Sequence, residues 1–361
     1  MEKIFLAALQ ITSGLGYAGI ERLMQHFNTA ANIWQATEEE ILESKCLSEI
    51  LCKKLFRHRQ SFDIEKAANS WNKSNIKLLS VFANDYPESL KNIHNPPAIL
   101  FCRGKLDNKR KLAIVGSRKF SVYGKSIAQN LSADLAAQEF TVVSGAAHGI
   151  DTFAHRGALS TGTTVAVLGC GINIAYPREN KKLLDEIAEK GAVISEYEPQ
   201  AQPLAGFFPA RNRIISGMSL GTIVVEAATR SGSLITAEMA LSEGRDVFAV
   251  PGSIYSEQSA GCNHLIQQGA KLVTCAQDVY NEYDTSVQSK QNEQQINFNS
   301  DEEKKVYEML SYDQPLSLDE IIYKLRSDVS NISFVLLQMK LRGLVEETVL
   351  GTYVRSVKEI V

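Results

Sequence analysis

Five stretches of this chain combine glycine, hydroxyl and basic residues in a way suited to holding phosphate. They are Gly116-Ser117-Arg118, Ser144-Gly145-Ala146-Ala147-His148-Gly149-Ile150-Asp151, and Gly169-Cys170-Gly171 running on to Tyr176-Pro177-Arg178-Glu179-Asn180-Lys181. Phe208-Pro209-Ala210-Arg211-Asn212-Arg213 and Arg230-Ser231-Gly232-Ser233 complete the set. Small residues let a backbone approach a ligand closely, and N–H groups at a helix start favour an anion. Arg118, Arg211 and Arg213 add donors that match phosphate oxygens. One such loop is weak evidence, because glycine after a strand often makes only a tight turn. Their repetition around one sheet edge is the signal. Phe208 either offers a base a flat face or packs inward beside Pro209.

Catalytic signatures are thin by comparison. His148 and His155 flank Asp151, but no GxSxG elbow accompanies them and their spacing does not match HExxH. The expected role of Asp151 is to cap a helix over Thr152–Leu159. The first strand of the middle region runs into GSRKFSVYG rather than GxGxxG, and the second ends in Ser144-Gly145 where a ribose-binding acid would stand. No GxxxxGK[ST] occurs. Hydride transfer and P-loop hydrolysis are therefore disfavoured, and no cofactor or metal is expected. Six cysteines lie far apart with no CxxC pair, which fits a reducing cytoplasm.

The elements that must position these loops follow from periodicity. Residues 77–284 alternate apolar runs with helical stretches. Strands are expected at Lys111–Val115, Thr141–Val143, Thr164–Leu168, Ala192–Ser195, Thr222–Val225, Asp246–Val250 and Lys271–Val273. Helices are expected at Gly124–Ala137 and Ser233–Glu243. Unbroken apolar strands between helices predict an α/β, Rossmann-like, mainly parallel sheet with both faces covered. Ahead of it, Asp85-Tyr86-Pro87 and Asn95-Pro96-Pro97 read as an irregular lead-in. Residues 1–76 read as a helical domain with a glycine turn at Gly14-Leu15-Gly16. Residues 285–300 are a polar linker by composition, and 301–361 read as three helices and a hairpin, the outline of a winged helix.

The composition, 44% hydrophobic and 22% charged, is that of a globular protein. No apolar run reaches the roughly 18 residues of a membrane helix. The N-terminus lacks a basic n-region and a cleavage site, so neither membrane insertion nor export is expected. A net charge of −3 argues at first sight against a nucleic-acid partner.

Taken together, the stretches AIVGSR (113–118), SGAAHGID (144–151), LGCGINIAYPREN (168–180), SEYEP (195–199), FPARNRIISGMS (208–219), VVEAATRSGSLITA (224–237), GRDVFAVPG (244–252) and GCNHLIQQGA (261–270) closely resemble the DNA-processing protein A family, DprA or Smf, of bacteria. The resemblance implies a sterile-alpha-motif-like N-terminal domain, a Rossmann-like core and a C-terminal winged helix. It implies sequence-independent binding of single-stranded DNA without turnover, homodimerisation through the core, protection of incoming strands in natural transformation, and loading of the RecA recombinase. By the same resemblance, DNA-binding roles fall on Arg118, on Lys181 with Lys182 beside it, and on Phe208, Arg211, Asn212 and Arg213. With the loop residues, the expected contact set is Gly116, Ser117, Arg118, Ser144, Gly145, Gly149, Asn180, Lys181, Phe208, Arg211, Asn212, Arg213 and Ser231. Glu226 is expected to orient Arg211 or Arg213.

Two alternatives use the same core. A nucleoside-monophosphate phosphoribohydrolase would act through Arg213 and Glu226, although Ser219-Leu220-Gly221-Thr222 lacks the Pro-Gly-Gly of that group. A nucleotide-sensing regulator would bind a mononucleotide tightly. Apolar candidates for the dimer face are Ile254–Tyr255 and Leu265–Ile266. The third helix of the winged-helix region offers only Ser330 and Asn331 as base readers, so that region is expected to bind protein or to modulate.

Overall fold

The computed structural model describes residues 1–138, 140–283, 298–312, 314–348 and 351–356. The linker expected at 285–300 lies outside the described residues except for its last three, and Ser300 there caps the helix Asp301–Met309.

Nine strands form one sheet: β1 (Lys77–Ser80), β2 (Ile99–Gly104), β3 (Arg110–Val115), β4 (Phe140–Ser144), β5 (Thr164–Val167), β6 (Ala192–Ser195), β7 (Gly221–Val224), β8 (Asp246–Ala249) and β9 (Lys271–Leu272). Their order is β1-β2-β6-β5-β4-β3-β7-β8-β9. Neighbours from β6 through β9 pair parallel, whereas β1 and β2 add antiparallel at one edge. These two strands flank the irregular lead-in expected from sequence, whose Asp85-Tyr86-Pro87 and Asn95-Pro96-Pro97 lie between them.

Side-chain alternation explains the two layers. Ala113 and Val115 face a core containing Ile214, Ile215, Ala237 and Ala240 from the helices Phe207–Met218 and Gly232–Ser242. Leu112 and Ile114 face the opposite way, onto Leu131, Leu135, Ala154 and Ala158 from the helices Val122–Ala137 and Ile150–Thr161. A period of two with apolar residues at both phases requires helices on both faces. The N-terminal helices share a core with the sheet: Leu6, Leu9 and Trp71 cluster with Phe101 and Val193, and the Gln10 amide bonds the backbone of Ile99 at both of its ends.

Residues 301–356 build a separate apolar cluster around Val306, Ile321, Ile332 and Leu336. The helices Asp301–Met309, Leu318–Leu325 and Val329–Leu341 stand with a small sheet of β10 (Leu316–Ser317), β11 (Val345–Glu347) and β12 (Thr352–Arg355) in the order β10-β12-β11. Val349 and Leu350, expected in the hairpin, lie outside the described residues. No helix among the described residues is long and apolar enough to cross a membrane.

Candidate functional site

The chain leaves β3 in the centre, winds outward through β4, β5 and β6, and later returns beside β3 as β7. Loops at the carboxyl ends of β3 and β7 therefore diverge and open a crevice. A cleft of about 730 Å³ sits there, lined by Gly116–Lys119, by Ala228–Ser233 and by the first turns of the Phe207–Met218 helix. A second cleft, of about 500 Å³, adjoins it over β4 and β5 and is lined by Gly145, His148, Gly169 and Tyr176–Glu179. Arg118, Ala147, Tyr176 and Phe208 belong to both and form the shared wall.

That wall is an aromatic-cation cluster. Phe208 is half-buried, and a Cβ on Gly169 would come within 2.8 Å of its ring, so only glycine leaves it room. Tyr176 lies 5.2 Å from Phe208 at a tilt of 41°, and the Arg118 guanidinium sits 5.8 Å from the Phe208 centroid. Arg118 is exposed and has no acidic partner among the described residues. Its loop is fixed from below: Ser117 N–H donates to the Glu226 carbonyl and Ile150 N–H to the Ser117 carbonyl. Gly149 adopts φ +93°, and a Cβ there would stand 2.4 Å from the Ser117 carbonyl oxygen. A side chain at 149 would push the Arg118 loop outward. Ser117 Oγ bonds the Lys119 carbonyl and Gln258.

Several of the expected contact residues have their polar groups engaged within the protein. Phe208–Arg213 is the start of a helix, not a loop. Arg211 is only 4% exposed, and its Nη1 donates to the carbonyls of Gly145 (2.8 Å) and Val167. It ties the ends of β4 and β5 together at the cleft floor. Gly145 is required because a Cβ would collide with that guanidinium at 2.4 Å. Arg213 grips Glu196 with both terminal nitrogens, one at 2.9 Å, and lines neither cleft. Glu226 orients neither arginine. It is buried and accepts from Ser121 N–H at 3.0 Å and from Ser121 Oγ, fixing the start of the Val122–Ala137 helix. Burial pushes its carboxyl pKa up, and the two Ser121 donors pull it back. With Arg213 paired and Glu226 turned away, the phosphoribohydrolase pair does not face the cleft.

Asn180 is buried and donates to the Ala146 carbonyl (3.0 Å) and to Thr152 Oγ1 (2.8 Å), clamping two loops. Ser144 Oγ bonds the Ile114 carbonyl at 2.6 Å beneath the surface. Lys181 is exposed at the start of its helix but lines neither cleft, whereas Arg178 does. Asn212, Ser231 and Gly116 line the cleft at the β3–β7 crevice. Lys119, Arg178, Arg230 and Tyr176 also line the clefts, although they are outside the contact set expected from sequence; Lys119 directly follows Arg118, and Tyr176 is the aromatic ring of the YPREN stretch.

Gly149, not Asp151, is the helix N-cap; Asp151 lies buried in the first turn and accepts from Ala147 N–H. Burial raises its carboxyl pKa, opposed by the Arg211 charge and neighbouring donors. His155 is buried against Thr164 Oγ1 (2.8 Å), and burial with the Arg211 charge pushes its pKa down to about 3. His155 lines neither cleft, whereas Asp151 reaches the cleft at the β3–β7 crevice. Of the apolar dimer candidates, Leu265 is core while Ile254 and Tyr255 are exposed. Asn331 is bonded to Glu302, and the exposed face of its helix presents Phe334, Leu337 and Leu341. All six cysteines are unpaired, and no metal-holding group of His, Cys, Asp or Glu occurs among the described residues.

Residues 77–284 match the family described as DNA recombination-mediator protein A. A DNA processing protein DprA of Streptococcus pneumoniae is 48% identical over 226 residues, 62% of this chain and 80% of that protein. The DprA of Bacillus subtilis is 42% identical over 217 residues, 59% and 73% of the two chains. Among solved structures, the X-ray structure of Streptococcus pneumoniae DprA matches with a TM-score of 0.69 at 40% identity, covering 78% of this chain and 98% of that one. A Helicobacter pylori DprA, described for its single-stranded DNA binding mode, matches with a TM-score of 0.53 at 31% identity, covering 58% and 97%.

Proposed function

The chain belongs to the DNA recombination-mediator protein A family, and on that premise we propose that it binds single-stranded DNA across the two joined clefts, independently of sequence and without turnover. The observation that carries the reading is the shared wall. An unpaired guanidinium, Arg118, stands over an aromatic ring where the clefts meet, with a second ring, Tyr176, beside it. A sequence-blind binder of single strands needs backbone neutralisation and a face on which bases stack. Arg118, Lys119, Arg178 and Arg230 supply the first, and Tyr176 with Phe208 the second. Asn212 and Ser231 add polar contacts, while Gly116, Ser117, Ser144, Gly145, Gly149, Asn180 and Arg211 hold the surface in shape.

The reading extends to the cell. The protein acts in the cytoplasm, protects incoming single strands in natural transformation and loads RecA onto them. It works as a homodimer through the core, with the exposed Ile254 and Tyr255 as the side to test. The domain division is 1–76, 77–284, a linker at 285–300, and a winged helix from 301 that binds protein or modulates.

The test is titration of labelled oligo-dT with full-length protein at several salt concentrations. Each phosphate contact contributes roughly 0.7 to the log–log salt slope on single strands. Arg118→Ala should weaken binding and flatten the slope by about that amount, whereas Arg213→Ala should change neither. Unchanged affinity and slope in Arg118→Ala refute this site. Release of free base from AMP would instead favour the hydrolase alternative.

A further inference from the structure

The two clefts differ in chemistry. The one over β4 and β5 is lined by Gly145, Gly169, Pro177 and Pro203 beside the shared aromatic wall. The one at the β3–β7 crevice ends on buried side chains, Arg211 and Ile215, and is rich in hydroxyl groups. We propose that the crevice cleft is a subsite for a terminal nucleoside phosphate monoester, presented by the 5′ end of a strand or by a free nucleotide. This rests on the single-strand reading and adds what the crevice cleft takes.

Three independent observations converge there. The eleven-residue helix Gly232–Ser242 starts in the cleft, with Ser231 as N-cap and open space beside Gly232 where a Cβ would stand. Ser233 N–H is bonded to Ser231 Oγ and Leu234 N–H to the Ser231 carbonyl, which leaves Gly232 N–H to face a space that an anion can enter. Thr236 is 2% exposed and lines the same cleft, yet its hydroxyl has no hydrogen-bond partner among the described residues. Its oxygen still reaches the cleft, where a ligand or water can complete it. Ser231 and Ser233, whose hydroxyls lie 2.8 Å apart, stand one turn away. Finally, Arg118, Lys119 and Arg230 rim the cleft against one rim acid, Glu257, while the floor charges of Arg211 and Asp151 offset each other.

Charge separates chain end from chain interior. A monoester carries more charge than the diester of the strand interior, so donors gathered at one point favour it. The volume of about 730 Å³ lies within the range of small-ligand sites.

The experiment compares oligo-dT bearing a 5′-phosphate with the same oligo bearing a 5′-hydroxyl, on the full chain, by fluorescence anisotropy. Wild type should prefer the phosphorylated strand by about tenfold. Thr236→Val should reduce that preference while leaving the hydroxyl oligo's affinity unchanged. Gly232→Glu, whose side chain enters open space and brings a negative charge to the helix start, should abolish it. Displacement by dTMP but not by thymidine assigns free nucleotide as a source; a preference that dTMP does not compete assigns the strand end alone. Equal affinity of wild type for both oligos overturns the phosphate subsite. Failure to bind either oligo overturns the single-strand reading itself, so the two failures are distinct.

Discussion

Replacing Arg211 by methionine separates a structural tie from a phosphate ligand. Methionine keeps an apolar stem and deletes every donor. The carbonyls of Gly145 and Val167 lose the guanidinium that joins them, and buried Asp151 loses the nearby positive charge that favours its ionised form. Each buried acceptor left unpaired costs about 1–3 kcal/mol. Breaking a buried charged contact from one side costs about 3–5 kcal/mol in all. Against a total stability of about 5–15 kcal/mol, such a loss is large. Urea unfolding followed by circular dichroism should show a clear fall in midpoint with little change in slope. At low denaturant, where the variant remains folded, oligo-dT affinity and its salt slope should stay near wild type. The opposite pattern, an unchanged midpoint with a slope reduced by about 0.7, would make Arg211 a DNA ligand and refute the argument from burial.

His155 predicts a pH dependence. Its folded pKa of about 3 lies well below the unfolded value near 6.5, so the unfolded chain takes up the proton first as pH falls. Stability should therefore be lost progressively below pH 6.5, by about 2 kcal/mol between pH 7 and 5 from this group; His155→Asn should flatten that dependence in thermal unfolding, and parallel curves would contradict it. Arg178 lines the aromatic cleft and Lys181 does not, so in anisotropy titrations Arg178→Ala should weaken oligo-dT binding and flatten the salt slope by about 0.7, with Lys181→Ala nearly silent. The reverse ranking would restore the expectation drawn from sequence.

The central sheet was legible because Leu112 and Ile114 point one way, Ala113 and Val115 the other, and both pairs are apolar. Strands β1 and β2 were hidden by the prolines between them, and because edge pairing leaves little signal in four to six residues. The helical start at Phe207 was missed because Pro209 reads as a breaker. In the first turn a proline forfeits only an N–H that has no partner within the helix. Residue type located the basic groups, yet type does not disclose a partner. Arg213 and Glu196 are 17 positions apart, and nothing local announces their pairing. Asn180 turns inward as a clamp, which leaves Arg178 and Lys181 on different sides of the same turn.

The charge balance gains a physical meaning from these pairings. The chain carries −3 overall, and residues 105–253 hold 16 basic against 14 acidic side chains, close to neutral. Neutrality is reached locally: Glu196 occupies Arg213, Asp107 occupies Lys111, and Asp185 lies against Arg103. Arg118, Lys119, Arg178 and Arg230 have no carboxylate partner among the described residues, and all four line the joined clefts. The site is thus defined less by an excess of cations than by cations left unpaired, since Asp151, Glu179 and Glu257 line the same clefts without forming a salt bridge to any of these four. Four contacts at roughly 0.7 each set a salt slope near 3 for this surface. A markedly steeper slope for the full chain would require a second DNA-binding surface outside these clefts.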